Sequence, residues 1–123
     1  MGCDDQPSKV DRSVILIVED DQTTRELLTL CLEDEGYLVI SAREGREALE
    51  ATTGMHLDLV LLDIRMAGMN GHELIRQIRG RPGPTPPIIA LTASTDQTAA
   101  DETIRKPFML DELCDRVRHH LGR

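Results

Sequence analysis

The sequence predicts an α/β fold: a doubly wound, five-stranded parallel sheet with helices on both faces, its fourth helix absent or very short. Two observations predict it. Short apolar runs alternate with helical patterns from 13 to 121, and strands alternating with helices call for parallel pairing through right-handed crossovers. Only thirteen residues, 93–105, separate Thr92 from Lys106. A loop, a crossover helix and a further strand there would need roughly twenty.

The elements follow in order. Residues 1–12 are polar, contain Pro7 and read as a flexible N-terminal tail. Residues 13–18, SVILIV, form a β-branched apolar run suited to a strand buried on both faces. Residues 22–35 show helical spacing, with Leu27, Leu28, Cys31 and Leu32 on one face and Gly36 as the stop. A second strand is expected at 37–42 and a second helix at 45–53, with Ala48, Leu49 and Thr52 inward. A third strand covers 57–62, and a third helix 71–79 sets Leu74, Ile75 and Ile78 against the sheet. Residues 80–87, GRPGPTPP, make a stiff loop that no helix can cross. The fourth strand is 88–92. The segment ASTDQTAADETIR has no apolar stripe, so it reads as a loop leading to a short edge strand at about 102–105. The last helix, 109–121, carries Leu110, Leu113, Val117 and Leu121 on one stripe.

Composition narrows the function. At 123 residues the chain is one domain with an aliphatic core, since it has one Phe, one Tyr and no Trp. A net charge of −8 argues against direct nucleic-acid binding and is compatible with a divalent cation or a basic protein partner. Cys3, Cys31 and Cys114 show no metal-ligand spacing and read as reduced thiols of a cytoplasmic protein. No apolar run approaches a membrane span. The start MGC has Gln6 where myristoylation wants Ser or Thr, so no lipid anchor is expected.

Parallel strands place their C-terminal ends on one edge, where open α/β sheets carry their chemistry. Glu19 and Asp20 follow the first strand, Asp63 follows the third and Thr92 ends the fourth. Three neighbouring carboxylates repel one another and call for a cation. Oxygen-only donors suit a hard ion, ordinarily Mg²⁺. The plainer reading of 19–21 is a helix N-cap, and Asp21 needs no other role. Lys106 precedes Pro107, which forces it extended at a strand end. It is one of two lysines, with Lys9, in a chain that otherwise uses Arg. An ammonium is a compact charge suited to a phosphoryl oxygen or a carboxylate.

VILIVEDD, LVLLDIRMAGMNG, ALTA and KPF, in that order with helices between, resemble the receiver domain of two-component response regulators over residues 13–121. The resemblance implies a flavodoxin-like, CheY-like three-layer α/β/α fold. It implies Asp63 as phospho-acceptor, taking a phosphoryl group from a sensor histidine kinase or a histidine phosphotransfer protein. It also implies Mg²⁺ held by Glu19, Asp20, Asp63 and the backbone carbonyl of Arg65, with Thr92 as switch hydroxyl and Lys106 as phosphate contact. Such a chain is a phospho-acceptor that assists its own phosphorylation and dephosphorylation, not an enzyme. The sequence departs from the family in four places. Ala67 replaces the usual Pro, Arg65 sets a cation two residues past the acceptor, Thr103 replaces the switch aromatic, and 93–105 is short.

Three functions compete. The first is a single-domain phospho-receiver, a monomer or weak dimer acting on a protein target. The second is an interaction module of receiver fold indifferent to phosphorylation, which Thr103 and the short 93–105 segment favour. The third is a Mg²⁺-dependent phosphohydrolase, whose DxDxT nucleophile motif is nearly matched by Glu19, Asp21 and Thr23. Glu in place of the nucleophilic Asp counts against it. His56, His72, His119 and His120 read as surface or helix-end residues, and Met66 and Met69 as packing.

Overall fold

The computed structural model describes residues 13–66, 68–94 and 97–122. The expected tail at 1–12 and the substitution at Ala67 lie outside them. Nine elements follow in order: β1 (Val14–Val18), α1 (Gln22–Asp34), β2 (Leu38–Ala42), α2 (Gly45–Ala51), β3 (Leu59–Asp63), α3 (Gly71–Arg79), β4 (Ile88–Thr92), β5 (Glu102–Arg105) and α4 (Leu110–His120). The strands form one parallel sheet in the order β2-β1-β3-β4-β5. This is the doubly wound fold expected from the sequence.

Side chains alternate between the faces of each strand with period two, and the core divides accordingly. Leu16, Val18, Val60, Leu62, Ile88 and Ala90 pack against Ala48 of α2 and Leu74, Ile75 and Ile78 of α3. Ile15, Ile17, Leu59, Leu61, Ile89 and Leu91 pack against Leu28 and Leu32 of α1 and Leu113, Cys114 and Val117 of α4. Each fully buried Leu or Ile contributes roughly 1.5–3 kcal/mol, so two continuous apolar layers hold the sheet.

Two details differ from the sequence expectation. The third strand begins at Leu59, and Asp63 is its last residue, not the first residue beyond it. Asp58 stands outside the strand because its carboxylate accepts the Val14 backbone N–H at 2.8 Å. Leu27 is 49% exposed and leaves the α1 contact face to Leu28 and Leu32. Leu27 precedes Leu28 by one residue, about 100° around the helix, which turns it away from the buried stripe.

The crossover from β4 to β5 contains no helix among its described residues. Anchors replace it. Asp101 is tied to the start of β4, its backbone N–H donating to the Ile88 carbonyl at 2.9 Å. Its carboxylate accepts the Ile88 N–H at 2.8 Å and the Arg79 guanidinium at 3.2 Å. Arg79 also donates to the Ala99 carbonyl, and Ala100 packs against the α2–α3 core. The sequence of β5 suits the missing cover. Ile104 faces the α1–α4 layer, while Thr103 and Arg105, on the face a helix would otherwise cover, are exposed and polar. Arg79→Ala should cost about 1 kcal/mol, a value set by charge-assisted hydrogen bonds at a part-exposed site. Urea unfolding of Arg79→Ala beside Arg76→Ala checks this, with the Arg76 change expected within about 0.5 kcal/mol of the parent.

β5 is pinned to α4 by Glu102, which accepts Arg116 Nε at 2.8 Å and pairs with His120 Nε2 at 2.8 Å. Burial acts to raise the Glu102 carboxyl, but the hydrogen bonds from Arg116 and His120 outweigh it and hold the group below its usual range. A lowered carboxylate stabilises the fold above its unfolded value and loses that contribution as pH falls through the folded value. Thermal midpoints measured across the acid range should therefore fall less steeply in Glu102→Gln than in the parent.

Candidate functional site

The C-terminal edge of the sheet gathers the polar residues. β1 ends at Val18, and the next backbone N–H, that of Glu19, donates to the Ala42 carbonyl at 3.1 Å, which seats Glu19 beside the end of β2. The Glu19 side chain is fully buried, an uncommon fate for a glutamate unless it is paired. Its partners are the Asp21 N–H at 3.2 Å and the Lys106 ammonium at 2.9 Å. Arg25 from the first turns of α1 donates to the Glu19 carbonyl at 2.8 Å and so fixes the loop backbone. Asp20 is exposed. Asp21 is the N-cap of α1, accepting the Thr24 N–H at 2.8 Å and the Thr24 hydroxyl at 2.6 Å. Those hydrogen bonds hold its carboxyl below the usual range. The middle Asp of the phosphohydrolase-like motif is thus engaged as a helix cap.

Asp63, only 6% exposed, ends β3 between β1 and β4. One carboxylate oxygen accepts the Arg65 N–H at 3.0 Å and the other meets the Lys106 ammonium at 3.2 Å. Thr92 ends β4 and is fully buried, with its hydroxyl oxygen accepting the Ser94 N–H at 3.1 Å. Lys106 follows β5 directly, held by its backbone N–H donating to the Thr92 carbonyl at 2.8 Å, and its bond to Pro107 is cis. Glu19, Asp20, Asp63, Arg65, Thr92 and Lys106 therefore stand along one edge, contributed by β1, β3, β4 and β5.

The electrostatics follow from burial. Desolvation raises the Glu19 carboxyl above its usual range and the Asp63 charge adds to this, against the opposing hydrogen bonds from Lys106 and Asp21. For Lys106, burial alone would lower the ammonium. Its hydrogen bond to Glu19 and the charges of Asp63 and Glu19 outweigh that and raise it, so it stays a cation. One ammonium shared by two carboxylates leaves Asp20 outside that pairing and the site rich in negative charge. The donor set fits a small hard cation. One carboxylate oxygen from each of Glu19, Asp20 and Asp63 lies within 4.8 Å of the others, and all three donors are oxygen.

Some contributors were not legible in the sequence. Gly71 begins α3 against the strand end, where a Cβ would lie 2.6 Å from the Ile64 Cα and 3.0 Å from the Asp63 carbonyl oxygen. A glycine at the first position of a helix signals nothing of that kind by itself. Ser94 touches the Thr92 hydroxyl, also unforeseen. Met66 and Met69 pack against the core as expected. Among the described residues no helix is long and apolar enough to cross a membrane.

A parallel sheet of this order carrying acids on its first and third strand ends and a lysine beyond the fifth defines a class. The family model for the response regulator receiver domain matches residues 15–118, and the chain belongs to that family. Receiver domains are the phospho-acceptors of two-component systems; they generally bind Mg²⁺ and interact with histidine kinases or phosphotransfer proteins. Among its relatives, the DNA-binding response regulator MtrA of Mycobacterium tuberculosis (strain ATCC 25618 / H37Rv) is 41% identical over 120 residues, 91% of this chain and 52% of that protein. The response regulator ArlR of Staphylococcus saprophyticus is 40% identical over 117 residues, 89% of this chain and 52% of that protein. The chain thus spans about half the length of the curated relatives it matches. Among solved structures, the response regulator TrrA of Thermotoga maritima in complex with Mg²⁺-BeF is 40% identical, with a TM-score of 0.79 over 89% of this chain and 99% of that one. The chemotaxis response regulator CheY4 of Vibrio cholerae is 28% identical, with a TM-score of 0.82 over 90% of this chain and all of that one.

Proposed function

We propose that this chain relays a signal by accepting a phosphoryl group on Asp63 from a histidine of a sensor kinase or a phosphotransfer protein. The observation that carries the reading is the placement of the Asp63 carboxylate between the Glu19–Asp20 acids and the Lys106 ammonium. Phosphoryl transfer needs a positioned nucleophile and positive charge around the phosphoryl oxygens, and little else from the protein. A carboxylate oxygen of Asp63 attacks phosphorus, the O–P bond forms, and the N–P bond to the donor histidine breaks. Glu19, Asp20, Asp63 and the Arg65 backbone carbonyl would hold Mg²⁺, which when bound offsets negative charge on the phosphoryl oxygens. Lys106 sits 3.2 Å from the acceptor carboxylate, within reach to turn its ammonium to a phosphoryl oxygen. The Thr92 hydroxyl, on the neighbouring strand end, supplies a further donor. The Arg65 guanidinium stands two residues beyond the acceptor and tunes the hydrolysis of the aspartyl phosphate. The protein works in the cytoplasm as a monomer or weak dimer on a protein target, and these residues make no direct contact with nucleic acid.

A second reading, an interaction module indifferent to phosphorylation, draws on the crossover. The Thr103 hydroxyl, where the family has an aromatic switch, is paired with Thr98 at 2.8 Å. One experiment separates the two. Incubation with a small acyl-phosphate donor and Mg²⁺ should add one phosphoryl mass to the parent and none to Asp63→Asn. No gain on the parent, or an equal gain on both, would sink the first reading.

A further inference from the structure

We propose that Cys31 and Cys114 are a paired modification site, closing under a hydroperoxide to a disulfide that joins α1 to α4. The two thiols lie on facing helices of the α1–α4 layer and belong to the same apolar cluster, with Cys114 buried and Cys31 half-buried. α1 packs directly on α4, and Cys31 stands near enough to perturb the Cys114 thiol. None of the phospho-acceptor chemistry uses them. A cross-link between two such helices forms without rebuilding the backbone where the cysteine Cα atoms stand within about 7 Å and their Cβ atoms face each other.

Their surroundings give them different parts. Burial first, and then the neighbouring Cys31 thiol, pushes the Cys114 thiol up to about 12, so Cys114 stays protonated at neutral pH and is not the thiol that meets the peroxide first. Glu35 beside it adds negative charge, and Arg118, which is bonded to Glu35 at 2.6 Å, opposes it. Cys31 is the thiol that solvent reaches. Its thiolate attacks the outer oxygen of the hydroperoxide, the S–O bond forms and the O–O bond breaks. The departing alkoxide or hydroxide takes a proton, leaving a sulfenic acid on Cys31. Cys114 then gives up its proton, its sulfur attacks the Cys31 sulfur, the S–S bond forms and the S–O bond breaks. The hydroxide released leaves as water with that proton. In sum, two thiols are oxidised to one disulfide, and the hydroperoxide is reduced to an alcohol, or to water, plus a second water.

The consequence is local. α1 starts directly after the acidic loop and α4 shortly after Lys106, so a covalent tie between them holds both flanks of the edge together.

The test uses the full chain carrying Cys3→Ser, treated with hydrogen peroxide, unfolded, alkylated and digested. The expected result is a loss of two hydrogens from the intact mass, a linked pair of peptides containing Cys31 and Cys114, an upward shift in thermal midpoint, and reversal by dithiothreitol. The proposal is overturned if both thiols remain open to alkylation. It is equally overturned if Cys31 proceeds to the sulfinic acid beside a free Cys114, or if chains join through Cys31. Cys114→Ala should abolish the mass loss. The same loss in that variant would also overturn the proposal, and the peptide map of the chain with Cys114 intact decides the matter if the variant does not fold.

Discussion

Lys106→Met should destabilise the chain by about 2–3 kcal/mol at neutral pH and make its stability strongly dependent on Mg²⁺. Breaking a buried ion pair by removing one partner costs about 3–5 kcal/mol, because the stranded charge remains buried. Here two carboxylates are stranded. The loss is smaller here because the Lys106 side chain is 24% exposed and because Glu19 can take up a proton. Glu19 is already held above the usual carboxylate range, by burial first and the Asp63 charge after it, and loses an opposing hydrogen bond in the variant. A raised carboxyl favours the folded state at low pH and costs stability as pH rises through the unfolded value toward the folded one. The deficit of Lys106→Met should therefore narrow as the solution is acidified. A divalent cation bound only by the folded chain stabilises it by mass action. Thermal and urea unfolding with and without Mg²⁺ should show a larger gain for the variant than for the parent. A variant as stable as its parent at neutral pH without Mg²⁺ would contradict the ion pairing described above.

Gly71→Ala should cost about 1–3 kcal/mol and slow phosphoryl uptake, although the residue bears no functional group. The added Cβ would meet backbone, at 2.6 Å from the Ile64 Cα and 3.0 Å from the Asp63 carbonyl oxygen. Neither can move without shifting the end of β3, and Asp63 is the last residue of that strand. Helix propensity acts the other way, since alanine gains up to about 1 kcal/mol over glycine in a helix. The clash should outweigh it. Gly45→Ala serves as the comparison. It also begins a helix, but its Cβ would meet only the Met69 side chain, with the sulfur at 3.0 Å and the Met69 Cβ at 3.2 Å; the thioether can turn aside and the remaining contact needs a shift of only a few tenths of an ångström. Urea unfolding of the two variants should separate them by more than 1 kcal/mol, as expected when backbone in one and a flexible side chain in the other must yield.

The contrast between these glycines shows where the sequence was legible and where it was not. Apolar runs such as VILIV and IIALT announce buried strands because a strand covered on both faces needs every side chain apolar. The short crossover was legible too, since thirteen residues without an apolar stripe cannot supply a helix to cover β5. What holds it was not. The anchoring of Asp101 by Arg79 and the Ile88 backbone joins positions far apart in the chain, and each residue alone reads as solvated charge. Leu27 fell off the buried α1 stripe because spacing alone does not fix how wide the covered face of a helix is. Among the site residues, Asp63 and Glu19 stood out as carboxylates at strand ends. That Glu19 is buried and shares one ammonium with Asp63 depends on how β5 is laid beside β4, which periodicity does not determine.

The central claim is that the Asp63 carboxylate receives the phosphoryl group, and chemical trapping tests it most directly. Borohydride reduces an acyl phosphate on an aspartate to the alcohol, homoserine, and leaves free carboxylates unchanged. After treatment with an acyl-phosphate donor and Mg²⁺, reduction and peptide mapping should find homoserine at position 63, with Glu19 and Asp20 unchanged. Reduction at Asp20 or Glu19 in its place, or phosphoryl uptake with no residue reduced, would contradict the account.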